Sequence, residues 1–298
     1  MTTSPHHTRR HYLLAAGAAL LCPSSLLFAA PVTPSSATAE AQLAALEKAA
    51  GGRLGVAAWR ADSAKRIGHR SEERFPLCST FKAMLAAAVL ARSANDEELL
   101  GKSVRYRADE LVAYSPVTEK HVDDGMTVAA LCAATLQYSD NSAANFLMRM
   151  MGGPQAVTAY MRSIGNPVFQ LERCETELNT AIPGDTRDTA SPASMARSLQ
   201  VLLLGDALPA PQRRQLDTWM RGNTTGDQRI RAGVPAGWSV ADKTGAGAHG
   251  TVNDIGIVYP PSGAPIVIAV YYTREEKDAP TNQDIIAAAT RIVMGALA

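Results

Sequence analysis

Four short stretches hold residue types at spacings that suit nucleophilic catalysis. In Cys78-Ser79-Thr80-Phe81-Lys82 a hydroxyl stands three residues before an amine. The run from Ala83 to Arg92 is rich in Ala, Leu and Met, strong helix formers, so a helix is expected to open at Ser79. Residues three apart share a helix face, which lets the hydroxyl and the amine meet. A helix N-terminus also offers unpaired backbone N–H groups and a positive dipole end. A serine there is placed as a nucleophile with oxyanion donors beside it. An N-cap serine ahead of a surface lysine has the same spelling, so the pair gains meaning only from the rest of the chain.

Ser139-Asp140-Asn141 falls between two helical segments and puts a hydroxyl, a carboxylate and an amide in one short polar turn. Lys243-Thr244-Gly245 ends a strand-like run, where a cation and a hydroxyl beside small residues suit an anionic ligand at an open strand edge. Between Arg173 and Asp188 no period is visible, and the span has the size of an omega loop. An Arg–Asp pair at its ends would pin it shut, and Glu175 with Asn179 inside it would hold a water between them. Gly245-Ala246-Gly247-Ala248-His249-Gly250 spells G-x-G-x-x-G, but a strand and not a helix follows, which excludes a dinucleotide-binding turn.

The elements that must position these groups follow from periodicity. Leu43 to Ala50 reads as a helix ended by Gly51-Gly52. Arg53 to Arg60 reads as a strand, with Lys65 to Arg70 as its hairpin partner. Helical patterns then run over Thr127 to Tyr138, Asn141 to Met151, Pro154 to Ile164, Pro192 to Leu204 and Pro211 to Arg221. Trp238 to Gly245, Thr251 to Tyr259 and Pro265 to Thr273 are strand-like, and Asn282 to Leu297 closes the chain as an amphipathic helix. Strands at both ends bracket a helical middle. The expected fold is α/β (α+β): an antiparallel sheet from the N- and C-terminal segments, flanked by helices, with an inserted all-helical domain. The expected boundaries are a leader over 1–39, sheet domain over 40–77 and 226–298, and helical domain over 78–225 that includes the loop 173–188.

The 298 residues, 46% hydrophobic, suffice for a large core. Arg9-Arg10, the apolar run from Tyr12 to Cys22 and the small residues up to Ala39 read as a bacterial export signal with a twin-arginine flavour, cleaved after Ala30 or Ala39. Its loss takes two of the 29 basic side chains and none of the 28 acidic ones, so the balance stays near neutral and excludes a nucleic-acid footprint. Cys78, Cys132 and Cys174 remain, an odd number in an oxidising compartment. No C-x-x-C, H-E-x-x-H or Cys/His cluster occurs, so neither metal nor cofactor is expected.

Taken together, S-x-x-K, S-D-N, the Glu175–Asn179 loop and K-T-G occur in the order and at the separations that resemble the class A serine β-lactamases, from about Leu46 to the C-terminus. The resemblance implies Ser79 as nucleophile, Lys82 or Glu175 (through a water) as acylation base, and Ser139 as the relay to the departing lactam nitrogen. It implies Asn141 on the substrate's side-chain amide, Lys243 and Thr244 on its carboxylate, the N–H groups of Ser79 and Ala246 as oxyanion hole, and a deacylating water held by Glu175 and Asn179. Where many members carry an arginine on the strand after K-T-G, this chain has Val252; Arg229 is the expected substitute guanidinium. Carbapenem-hydrolysing members pair the cysteine before the nucleophile with one shortly after K-T-G. Here Gly247 and its neighbours offer none, and no disulfide is expected. The implied protein is an exported, periplasmic, monomeric enzyme that opens penicillins and cephalosporins, needs no cofactor, confers β-lactam resistance, and associates stably with neither membrane nor nucleic acid. A D,D-peptidase or a β-lactam sensor domain would share S-x-x-K and K-T-G without the Glu175 water.

Overall fold

The computed structural model describes residues 1–2 and 35–298. The expected export signal and a cleavage after Ala30 lie outside the described residues, and the compact unit spans Thr33–Ala298. Helix α1 (Ser36–Ala50) opens on the Ser35 hydroxyl, which accepts the Thr38 N–H at 3.2 Å, and stops at Gly51 with φ +63°. Ala39 is buried inside it, so the leader boundary expected at residue 39 falls within a packed helix.

Strands β1 (Arg53–Arg60) and β2 (Arg66–His69) form the expected hairpin. After the two-residue strand β3 (Phe75–Pro76) the helical layer begins with α2 (Phe81–Ser93). The short pair β4 (Ser103–Val104) and β5 (Met126–Thr127) leads into α3 (Val128–Gln137), α4 (Asn141–Met151) and α5 (Pro154–Ser163). Strand β6 (Thr189–Ala190) pairs with β3 and leads into α6 (Pro192–Leu199). Then come α7 (Ala210–Arg221), the single turn α8 (Ile230–Gly233), β7 (Ser239–Ala246), β8 (Val252–Tyr259), β9 (Ile266–Thr273) and α9 (Asp284–Leu297). The main sheet is antiparallel throughout, in the order β2-β1-β9-β8-β7, so both chain ends build it.

Alternation along the strands assigns the two faces. Leu54, Val56, Ala58, Ile268, Val270 and Tyr272 point to one side and pack with Leu43 of α1 and Ile285, Ile286 and Val293 of α9. Ala57, Trp59, Ala269 and Tyr271 point to the other and share one continuous core with the helical layer. Helix α2 is buried from Phe81 to Leu90, the pattern of a helix surrounded by others. Helix α6 falls within the stretch expected to be an all-helical insert, yet it packs against β1 and β9. A periodic pattern fixes a helix and its apolar face but not the neighbour that covers it. The helix expected over 192–204 is also interrupted: past Leu199 the chain widens into a π turn over Gln200–Leu204, and Gln200 Oε1 accepts the Trp59 indole N–H at 2.9 Å.

The irregular segment after Glu172 is closed at its base. Asp188, almost fully buried, accepts the Arg173 side-chain Nε–H at 2.5 Å and the backbone N–H groups of Glu172 and Arg173 at 2.7 and 2.9 Å. Its own carbonyl accepts the Leu77 N–H at 2.8 Å, which ties the loop base to the residue ahead of Cys78. Removing one member of a buried pair strands the other. Asp188→Ala should cost about 3 kcal/mol and lower the melting temperature by roughly 6–12 °C at about 2–4 °C per kcal/mol. Amide exchange within 173–187 should accelerate most; protection unchanged there would show that other contacts hold the loop.

Candidate active site

Ser79 follows a strained turn. Cys78 takes φ +43°, and Cys78–Thr80 forms a 3-10 turn ahead of α2, so the helix proper starts two residues later than expected. Strand β7, an edge of the sheet, runs alongside. A Cβ on Gly245 would lie 3.0 Å from the Leu77 carbonyl oxygen and 3.2 Å from the Ser79 nitrogen, so glycine is what permits this approach. Ala246, one residue on, is exposed at the strand end and lines the same pocket as Ser79.

Lys82 is fully buried on the second residue of α2. Its Nζ donates to the Ser139 carbonyl at 2.8 Å and to Asn141 Oδ1 at 2.6 Å, and lies 2.8 Å from Glu175 Oε1. Ser79 Oγ donates to the same Oε1 at 3.1 Å. Hydroxyl and amine thus meet on one carboxylate oxygen rather than on each other, because α2 points Lys82 inward toward the Ser139 turn. The other oxygen, Glu175 Oε2, accepts Asn179 Nδ2 at 2.5 Å. Asn179 Oδ1 is buried with no partner among the described residues, an acceptor free for a polar ligand.

Ser139, at φ +58°, presents its hydroxyl 3.1 Å from Lys243 Nζ and 3.4 Å from Lys82 Nζ. Asp140 between the two polar neighbours is scaffold: its carboxylate accepts N–H groups of Val117, Thr118 and Ala143 and caps α4. Asn141, expected on the substrate's side-chain amide, anchors Lys82, and its Nδ2 donates to the Ala113 carbonyl at 2.9 Å. On the opposite wall Thr244 Oγ1 lies 2.5 Å from Thr225 Oγ1. Arg229 is buried, its Nη1 donating to the Gly245 and Asn253 carbonyls, each at 2.7 Å, and its Nε to Gln283. The guanidinium lines the pocket, with Nε and Nη1 engaged in these bonds.

The expected site residues therefore converge on one pocket of about 290 Å³, with Lys82, Glu175 and Lys243 behind its wall. A larger cavity of about 600 Å³ lies beside Asn166 and Arg197; its serines, Ser194 and Ser198, donate to the Ser191 and Ser194 carbonyls. Burial pulls the amine of Lys82 below its usual value despite Glu175, and pulls Lys243 well below, reinforced by Lys82 and Arg229. Burial pushes Asp254 well above the usual carboxylate range, with Asp242 adding to it. Asp242 is raised by burial too, though Arg231 grips it at 2.7 and 2.8 Å. Cys78 is a buried thiol pushed up by burial, unpaired like Cys132 and Cys174.

Sequence reasoning missed several contributors. Asn145 on α4 clamps Glu175 from both sides, accepting its N–H at 2.9 Å and donating to its carbonyl at 2.8 Å. It lies one helical turn past Asn141 on the same α4 face, which is the only signal it offered. Tyr114 (φ +63°) and Thr225 line the pocket from segments without period.

A serine bonded to a buried carboxylate–lysine pair, beside a sheet edge that carries Lys243, is an arrangement suited to a serine hydrolase. The family model of the beta-lactamase enzyme family matches residues 38–297, and the chain belongs to that family, in its class A branch. It is 50% identical to Beta-lactamase OXY-2 of Klebsiella oxytoca over 96% of this chain and 97% of that protein. It is 52% identical to the Carbapenem-hydrolyzing beta-lactamase KPC of the same organism over 90% and 93%. A solved β-lactamase from Desulfarculus baarsii superposes with a TM-score of 0.87 at 52% identity, covering 88% of this chain and 97% of that one. The enzyme is a β-lactamase, a hydrolase of β-lactams, and not the D,D-peptidase or sensor that shares two of its motifs. Among the described residues no helix is long and apolar enough to cross a membrane.

Lys243 gives a pH test. Its folded-state pKa lies below 10.5, so between the two values the unfolded chain binds more protons and wild-type stability rises with pH. The penalty is fully present below the folded pKa. Lys243→Met should therefore melt higher than wild type at about pH 6, with an advantage that shrinks toward about pH 10. A pH-independent difference would mean that Lys243 is not held against its charge.

Proposed function

We propose that this β-lactamase opens penicillins and cephalosporins through an acyl-enzyme on Ser79 and releases the product by a water activated at Glu175. The observation that carries the reading is Glu175 Oε1, shared by Ser79 Oγ and Lys82 Nζ while Oε2 rests on Asn179. Lys82 Nζ has Ser139 O, Asn141 Oδ1 and Glu175 Oε1 within 2.8 Å and Ser139 Oγ at 3.4 Å, a ring of acceptors that suits the ammonium form. That supports Glu175 as the base that takes the Ser79 proton as the hydroxyl attacks the lactam carbonyl. The oxyanion is received by the N–H groups of Ser79 and Ala246. The lactam C–N bond breaks, and Ser139 passes a proton to the departing nitrogen; Lys82 replaces that proton and recovers the one Glu175 had taken, which leaves the carboxylate ionised again. The substrate carboxylate is held by Thr244, Lys243 and Arg229, and its side-chain amide by Asn141. Glu175 then takes a proton from a water that also uses Asn179 Oδ1; the hydroxide attacks the ester carbonyl, the C–Oγ bond breaks, and Glu175 returns the proton to Ser79 Oγ.

Carbapenems are left out of this reading. Cys78 lies against Gly247, where a Cβ would be 2.8 Å from Cys78 Sγ but only 2.6 Å from the Asn179 carbonyl oxygen, and no second thiol stands there. Arg9-Arg10 and the apolar run after them support export to the periplasm by the twin-arginine route. We read the leader as ending before Ser36, the segment 173–188 as the omega loop, and the exported protein as a monomer.

Glu175→Ala tests the water mechanism. Without the carboxylate Lys82 loses the charge that held its proton, becomes neutral more readily and can still serve acylation. Deacylation should slow by about 10²–10⁴-fold or more, so benzylpenicillin should give a burst near one equivalent and an adduct on Ser79 by mass spectrometry. The Ser79→Ala protein should show none. Turnover by Glu175→Ala at the wild-type rate would refute the role.

Arg229→Ala removes a charge-assisted hydrogen bond to the substrate, typically about 1.5–3 kcal/mol. KM for benzylpenicillin should rise roughly 10–150-fold at about 1.4 kcal/mol per decade, with kcat much less affected. An unchanged kcat/KM would return Arg229 to a scaffolding role through Gly245 and Asn253.

A further inference from the structure

Asn253 lies on β8 directly opposite Gly245 and is fully buried. Its Nδ2 donates to the Pro76 carbonyl at 2.8 Å and to the Leu77 carbonyl at 3.2 Å. Two carbonyl acceptors settle which end of the amide is nitrogen, since the amide oxygen cannot donate. Those carbonyls belong to the two residues ahead of Cys78, where φ +43° swings the chain so that Ser79 faces the pocket. The Leu77 carbonyl also accepts the Thr80 N–H at 3.2 Å and the Thr80 hydroxyl at 2.7 Å, so it is the acceptor on which the nucleophile turn closes. The backbone carbonyl of the same Asn253 receives Arg229 Nη1. One residue thus joins the turn that carries Ser79 to the strand pair that holds the anion anchor. It does so although its own Oδ1 is buried without a partner among the described residues, a cost that folding alone gives no reason to keep.

We infer that Asn253 is a positioning residue for acylation: it sets the Ser79 turn against β7, so that Ser79 Oγ and the Ser79 N–H stay aligned with the Ala246 end of the strand. The inference rests on the reading of Ser79 as the acylated serine. Glu175 is held by Asn145, Asn179 and Lys82, none of which hydrogen-bonds Asn253, so the group that activates the deacylating water is positioned without it, and acylation, which needs Ser79 Oγ itself aimed, is the step expected to suffer most.

The test uses Asn253→Ala and Asn253→Asp in the full protein, with acylation by a chromogenic cephalosporin followed by stopped flow and decay of the penicilloyl adduct by mass spectrometry. A nucleophile misplaced by a fraction of an ångström should acylate about 10–100-fold more slowly, while adduct decay stays within about threefold. In Asn253→Asp the carboxylate has no proton to donate, but burial raises its pKa, and the protonated form regains one O–H donor for Leu77. The ratio of variant to wild-type acylation rate should therefore climb as pH falls. Unchanged acylation, equal slowing of both steps, or failure of both variants to fold would overturn the inference, the last two by assigning Asn253 to general stability. A wild-type protein that forms no adduct would instead refute the acyl-enzyme reading, a result visible before either variant is compared.

Discussion

The structure depends on an ion pair taken wholly out of water: Lys82 and Glu175, 2.8 Å apart with neither side chain exposed. Burying two charges costs several kcal/mol per ion unless every remaining lone pair and proton finds a partner. The surrounding chain meets that demand closely. The ammonium is shared with Ser139 and Asn141, the carboxylate with Ser79 and Asn179, and the Glu175 backbone is clamped by Asn145. These groups come from the Ser79 turn and α2, the 139–141 turn, α4 and the pinned loop, so the buried pair ties those segments together. Helix α2 itself is apolar on every side, which leaves Lys82 no route to solvent.

A second group of buried charges lies along β7 and β8. Lys243 reaches Ser139 behind the pocket wall, Asp242 is buried against Arg231 and Asn223, and Asp254 stands opposite Thr244 across the strand pair. Asp254 accepts the Ile230 N–H at 3.0 Å and thereby fixes α8, whose preceding residue is Arg229. Lys243, with no carboxylate in ion-pair range among the described residues, gains its attraction from these acids at longer distance. The pocket therefore presents cations at its wall and keeps the balancing acids one layer behind, the arrangement a carboxylate-bearing substrate needs.

Much of this was legible before any coordinates. Helices of ten residues or more and eight-residue strands carry their own period, and the predicted sheet from both chain ends is the one observed. What escaped has no period to read. The pairs β3–β6 and β4–β5 are two residues long, α8 is a single turn, and the π turn after Leu199 keeps an apolar pattern compatible with an ordinary helix. The site was legible where a motif spelled it: Ser79, Lys82, Ser139, Asn141, Glu175, Asn179, Lys243, Thr244 and Arg229 meet around one pocket. Asn145 and Asn253 were not, because each works through backbone groups of residues far away in the chain. Such partners are set by tertiary packing, which leaves no mark on local spacing. Helix spacing brings Ser79 and Lys82 to one face as expected, but the residue on which they meet, Glu175, lies 96 positions from Ser79 and is not written in that spacing.

The backbone shows where folding yields to chemistry. Cys78, Ser139 and Tyr114 hold positive φ without being glycine, and all three border the pocket or its nucleophile. Each such residue costs of order 1–3 kcal/mol and persists only where its surroundings over-determine it. The surroundings here can be named. The Cys78 turn is held by Asn253 on one side and by the Leu77–Asp188 backbone bond on the other. The Ser139 turn is held by Asp140, whose carboxylate binds three backbone N–H groups. Strain and buried charge are thus placed together and supported by the same scaffold residues. A change at Asp140, Asp188 or Asn253 reaches the chemistry without touching a reacting atom, because it releases a backbone that only the assembled fold keeps in place.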